Sequence, residues 1–188
     1  MDISAAQQDM RRGYVSGAPG IFASSLAWFA ATYVAWHLSP EQAVWVLFVG
    51  GAMIHPVGVL ISKSLGASGN YSKSNPLGNL AFASTLWLIF SIPLAYAVSL
   101  QRVEWFFPAM LLVIGGRYLT FGTLFGMRLY WALGLTLAAA GALLAQTASA
   151  PAMSALAGAA IEFVFALVAF GLHALWSRAQ RAAASASV

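Results

Sequence analysis

The chain has 188 residues, of which 61% are hydrophobic and only 7% charged, with nine Lys or Arg against five Asp or Glu. Soluble domains carry about a quarter charged residues, so an ordinary soluble enzyme and a disordered chain are excluded. A nucleic-acid partner is excluded too, because the net charge of +4 is dispersed among apolar runs. What remains is an all-α integral membrane protein with no separate soluble domain. With no Cys and three His, disulfides and thiol chemistry are unavailable and metal chemistry is restricted.

Residues 1–19 are polar and rich in Gly and Ala, and are expected to form a short tail at the membrane surface. They do not read as a signal peptide, because the apolar run that follows is too long and carries no cleavage pattern. A hydrocarbon core about 30 Å thick needs roughly 20 apolar residues per helix. Six stretches qualify: about 20–38, 42–62, 76–100, 105–126, 128–147 and 152–176. Together they make a transmembrane domain over 20–176, followed by a tail over 177–188. The breaks carry turn chemistry: Ser39-Pro40-Glu41, the run KSLGASGNYSKSNP from Lys63 to Pro76, Gln101 to Glu104, Gly126-Met127-Arg128, and Pro151.

Orientation follows from cations in short loops. Arg11, Arg12, Lys63, Lys73, Arg128, Arg178 and Arg181 fall on one side, and Arg102 alone on the other. Both termini are therefore expected in the cytoplasm. Trp36, Trp45, Trp105 and Phe106 fall near the outer interface, and Tyr130, Trp131 and Trp176 near the inner one. Trp28 and Trp87 lie deeper and are expected to pack between helices.

Phe22-Ala-Ser-Ser-Leu26 recurs as Phe82-Ala-Ser-Thr-Leu86, each followed one span later by a Gly pair, Gly50-Gly51 and Gly115-Gly116. This pattern suggests duplicated helical hairpins in parallel orientation. Glycines seven apart (Gly51 and Gly58, Gly115 and Gly122, Gly134 and Gly141) point to close helix approach, since small residues let backbones meet in lipid. Pro56, Pro93 and Pro108 free carbonyls within spans or near their ends, as kinks or hinges.

His55, Arg117 and Glu162 lie within spans, about 15–20 Å from the outer edge. A lone charge there costs roughly 2.5–3.5 kcal/mol or more. Arg117 and Glu162 are opposite in sign, so they are expected to face each other inside the bundle, with His55 nearby. Two readings follow: an ion pair that only locks the packing, or an anion-binding or proton-coupled site. His37 and His173 fall near opposite faces, so no metal, haem or other cofactor is expected. Lys63, Lys73 and Asn79 flank the long loop as candidate contacts to lipid headgroups. That loop lacks GxxxxGK[ST] and is no nucleotide site. No HExxH, no GxSG with a partner His and no carboxylate cluster is present. Ser24, Ser25 and Ser84 read as packing hydroxyls without a base.

The runs HPVGVLISKSLG, NPLGNLAFAST and EWFFPAMLLVIGGRYLTFGTLFGMRLYWALG resemble a family of small bacterial multi-spanning membrane proteins of unknown function. The resemblance covers about residues 45–135 and leaves out the termini and the sixth span with Glu162. It implies a bacterial inner membrane and supplies no substrate. The leading functional expectation is binding or transport of a small solute at Arg117, Glu162 and His55. The alternatives are a scaffold locked by its buried charges, or a headgroup enzyme at the cytoplasmic face. The expected partners are the bilayer and an unidentified solute, and a homo-oligomer fits as well.

Overall fold

The computed structural model describes residues 1–186, and every regular element among them is helical. The α-helices are α1 (Ile3–Gly13), α2 (Ala18–His37), α3 (Pro40–Ser64), α4 (Leu77–Gln101), α5 (Phe106–Phe125), α6 (Arg128–Gln146) and α7 (Pro151–Ala186). The last six are long and apolar enough to cross a membrane. Their boundaries follow local chemistry. The Ser39 hydroxyl accepts from the Gln42 amide at 3.2 Å and opens α3, with Pro40 in its first turn. Asn75 Oδ1 accepts from the Leu77 amide at 3.0 Å where α4 begins. Gly126, at φ 60°, ends α5 in the left-handed conformation that Gly adopts without steric cost.

Two segments expected as tails are helical. The 36 residues of α7 span roughly 54 Å, well beyond a core of about 30 Å. Residues 177–186, expected as a tail, continue the same helix. At the other end, α1 begins at an Asp2 cap, whose carboxylate accepts from the Ala5 amide at 2.7 Å. It turns Ala6, Met10 and Gly13 inward. Sequence composition missed this helix because its one apolar stripe is short and small. Between α1 and α2 the chain reverses through Val15 (φ 51°) and Ser16 (φ 56°), conformations that cost of order 1–3 kcal/mol each. The turn is held by the Tyr130 hydroxyl, which donates to the Ser16 carbonyl at 2.6 Å.

The spanning helices pack in a row. α2 is flanked by α3 and α7, α5 is flanked by α4 and α6, and α6 against α7 joins the two groups. The order is α3–α2–α7–α6–α5–α4, and the backbones of its two ends, α3 and α4, make few close approaches although they are consecutive in the chain. The two helices meet through side chains, where the Trp45 and Phe48 rings of α3 lie 5.9 and 6.2 Å from the Tyr96 ring of α4. The repeated segments do not occupy equivalent places in this row: α2 is central where α4 is terminal. Glycines set the tightest contacts. A Cβ on Gly115 would stand 2.7 Å from the Gly134 carbonyl oxygen, and one on Gly50 would stand 2.7 Å from the Ala27 Cβ. Trp28 is fully buried, but Trp87, expected between helices, is 63% exposed on the outer surface of α4. In a bilayer that surface would meet acyl chains, against which the apolar body of the indole packs as it would against another helix.

α1 is tied down at both ends of its length. Arg11 Nη2 donates to the Gly126 carbonyl at 2.7 Å and its Nε to the Phe125 carbonyl, covering the free carbonyls at the end of α5. Gln7 Nε2 donates to the Thr123 carbonyl at 2.8 Å. Asp9 accepts from the Ser72 amide at 2.9 Å and from Asn75 Nδ2 at 2.8 Å. Asp9→Ala is expected to cost about 1–3 kcal/mol by leaving the buried Asn75 amide short of a partner. A lower melting temperature and faster proteolysis within residues 65–76 would register the loss; unchanged proteolysis would contradict this docking.

Candidate functional site

The gap between α3 and α4 opens into a crevice of about 810 Å³, walled by α2, α3, α4 and α5. Its walls are mostly apolar. Gly20 on α2 and Gly51 on α3 both face it, and a Cβ on either would meet open space. At the end nearer the chain termini it is lined by Met10 and Tyr14 from the α1 region and by Asn70 and Tyr71 from the long loop. The rings of Tyr14 and Tyr71 lie 6.2 Å apart. Burial, and then Tyr71 beside it, push the Tyr14 phenol above its ordinary value, so it stays un-ionised at neutral pH.

Arg117 projects from α5 onto the crevice wall. Its Nη2 donates to the Thr85 hydroxyl of α4 at 3.3 Å, a long bond, and its guanidinium lies 5.3 Å from the centre of the Phe121 ring. Its Nε is buried and has no hydrogen-bond partner. A guanidinium carries five N–H donors, so most of its capacity is unspent. Guanidinium donors pair most strongly with anionic oxygens, so this is the chemistry that the free N–H groups could meet.

The structure departs from the expected Arg117–Glu162 pair. The two side chains lie within electrostatic range, but among the described residues the only ion pair is Arg102 with Glu104, at 3.9 Å. The reason lies in α5 itself. Consecutive helical residues point about 100° apart, and Tyr118, not Arg117, turns toward α7. Glu162 is fully buried behind the crevice. Ser24 and Trp28 of α2 and Tyr118 of α5 adjoin its carboxyl group and also line the crevice. Neither carboxyl oxygen reaches hydrogen-bond geometry with them.

His55 lines the crevice from α3 and is exposed there, so it shares a space with Arg117 but not with Glu162. Lys63, Lys73 and Asn79 are all exposed and line no part of the crevice. The residue in that loop which organises structure is Asn75. It caps α4 and bonds to α1 through the Ala6 carbonyl at 3.0 Å. Sequence reasoning passed over Thr85 and Tyr118 as site residues and read Ser24 only as a packing hydroxyl. The four-residue spacing of Ser24 and Trp28, which puts both on one helix face, was the available signal. It also missed the pairing of Ser16 with His173, whose Oγ and Nδ1 lie 2.8 Å apart.

Fold and site together define an all-α protein with six helices long and apolar enough to cross a membrane, and a crevice between them with a guanidinium on its wall. The chain belongs to DUF7010, a family of unknown function, whose model matches residues 3–172. The family thus extends well beyond the segment in which the resemblance was read. It takes in α1 and the sixth span with Glu162. Comparison with curated proteins and with solved structures found no match.

Proposed function

We propose that this protein binds an amphipathic anion that enters sideways from the bilayer between α3 and α4, with Arg117 holding its anionic group. The observation that carries this reading is the unspent guanidinium of Arg117 on the wall of a mostly apolar crevice between α3 and α4. A soluble solute would need a path past the side chains of Met10, Tyr14 and Tyr71, which line the crevice. A molecule with an acyl tail needs only the gap between α3 and α4, and its tail matches the apolar walls. A purely structural role for Arg117 has less support, because it makes no contact ion pair with Glu162. His55, on the opposite wall, supplies a second polar contact to the bound head.

Thermal unfolding of the detergent-purified protein with dodecanoate, dodecyl phosphate and dodecyltrimethylammonium tests the reading. A ligand at 100 times its Kd stabilises by about 2.7 kcal/mol. The two anions are expected to raise the melting temperature and the cation to leave it unchanged. Equal effects from all three would contradict the proposal.

The bias of cations supports a cytoplasmic location for the face that carries both termini, in the inner membrane of a bacterium. Reporter fusions after residue 186 and within residues 101–104 are expected to read cytoplasmic and external, respectively. The opposite pattern would overturn this orientation.

A further inference from the structure

A second recess, of about 670 Å³, lies apart from the crevice where α1, the turn after α3 and the last turns of α7 meet. Arg12 enters it from α1, and Arg178 and Arg181 from α7, together with Ser177 and His173. No carboxylate lines it. Arg12 bonds only to Gln8 of its own helix, at 3.4 Å, and no ion pair involves Arg12, Arg178 or Arg181 among the described residues. The nearest acid on α1, Asp9, is turned away and taken by Ser72 and Asn75. Three arginines from two chain segments therefore line one recess with no carboxylate among its described lining residues.

The geometry around them is fixed. The Ser16 hydroxyl holds His173 Nδ1 at 2.8 Å and Ser177 holds its Nε2 at 3.2 Å. Arg11 lies over the Trp176 ring at 5.7 Å. The other walls are apolar: Val15, Leu65 and Phe170. Val15 begins the first spanning segment, Leu65 follows the end of the second, and Phe170 lies within the last. The recess thus sits at a membrane boundary, basic on the outside and apolar toward the bilayer.

We infer that this recess binds the phosphate of an anionic phospholipid headgroup, with Arg12, Arg178 and Arg181 as the phosphate ligands. Guanidinium groups suit phosphate because their paired donors match its oxygens. A phospholipid is favoured over a free phosphate ester because the apolar walls continue the recess toward the acyl region. The sequence pointed to Lys63, Lys73 and Asn79 for such contacts, but none of them lines the recess. This site is independent of Arg117.

Native mass spectrometry of the detergent-released protein, offered dioleoyl phosphatidic acid or dioleoyl phosphatidylcholine, tests the inference. Phosphatidic acid is expected to be retained and phosphatidylcholine to be lost. Replacing Arg12, Arg178 and Arg181 together by Gln is expected to weaken retention roughly tenfold or more, each surface cation contributing to the attraction. Arg128→Gln, on the same face but outside the recess, is expected to leave retention unchanged. Single Arg178→Gln and Arg181→Gln variants serve if the triple variant does not fold. Equal retention of the two lipids would overturn the inference, as would a weakening no greater in the recess variants than in Arg128→Gln. Retention intact in the recess variants but lost in Arg117→Gln would place the lipid in the crevice instead and overturn the inference. Displacement of phosphatidic acid by inorganic phosphate alone would overturn the choice of a lipid.

Discussion

Gly115→Val is expected to abolish the folded protein, while Gly116→Val, one residue on, is expected to be tolerated. A Cβ at position 115 would stand 2.7 Å from the Gly134 carbonyl oxygen and 3.1 Å from the Ala138 amide nitrogen. Both are backbone atoms of α6 and cannot swing aside. Moving α6 would also disturb Gly134 and Gly141, whose own added Cβ atoms would meet the carbonyl oxygens of Gly115 and Pro108. Overpacking costs about 1–3 kcal/mol where side chains can yield, and a backbone clash with a valine stands at the top of that range or above it. At Gly116 nothing lies within 4 Å of the added Cβ. Melting temperature and recovery of monodisperse protein in detergent report both variants. Similar losses for the two would contradict the α5–α6 contact.

The second large effect concerns Arg117. Arg117→Gln removes the charge but keeps a hydrogen-bonding side chain of similar reach, so the fold is expected to hold. A hydrogen bond to a charged group contributes about 1.5–3 kcal/mol, so affinity for dodecanoate or dodecyl phosphate is expected to fall about 10- to 100-fold. Gly51→Leu attacks the same site by another route. Position 51 opens into empty space on the crevice wall, so a leucine there fills volume without a clash. It is expected to block binding while keeping or raising the melting temperature. Isothermal titration of both variants reads these outcomes. Undiminished affinity in both would place the ligand elsewhere.

The spans were legible in the sequence because the bilayer imposes length and apolarity on each helix separately. Pro40, Asn75-Pro76, Gly126 and Pro151 marked the ends by turn chemistry that depends on neighbours in the chain. The order of helices in the row was not legible, since lipid-facing and helix-facing surfaces are equally apolar. Trp87 illustrates this: an indole deep in a span reads as buried, yet it faces outward on α4. The polar site was half legible. Arg117, Glu162 and His55 stood out by charge, but their partners depend on the rotation of each helix. One residue of difference, Tyr118 instead of Arg117, decides which side chain meets Glu162. α1 was hidden for a different reason. It is held by Asp9, Arg11 and Asn75 bonding to residues far away in the chain, and no local pattern encodes such bonds.

The central claim is that an amphipathic anion enters between α3 and α4 and is held at Arg117. It is tested most directly by photo-cross-linking in vesicles, using a fatty acid with a diazirine near its carboxylate, followed by peptide mapping. The account predicts label on the crevice faces of α3, α4 and α5, around His55, Thr85 and Phe121, competed by dodecanoate and lost in Gly51→Leu. Label spread over outward residues such as Trp87, Phe90 and Leu94, and unaffected by Gly51→Leu, would contradict it.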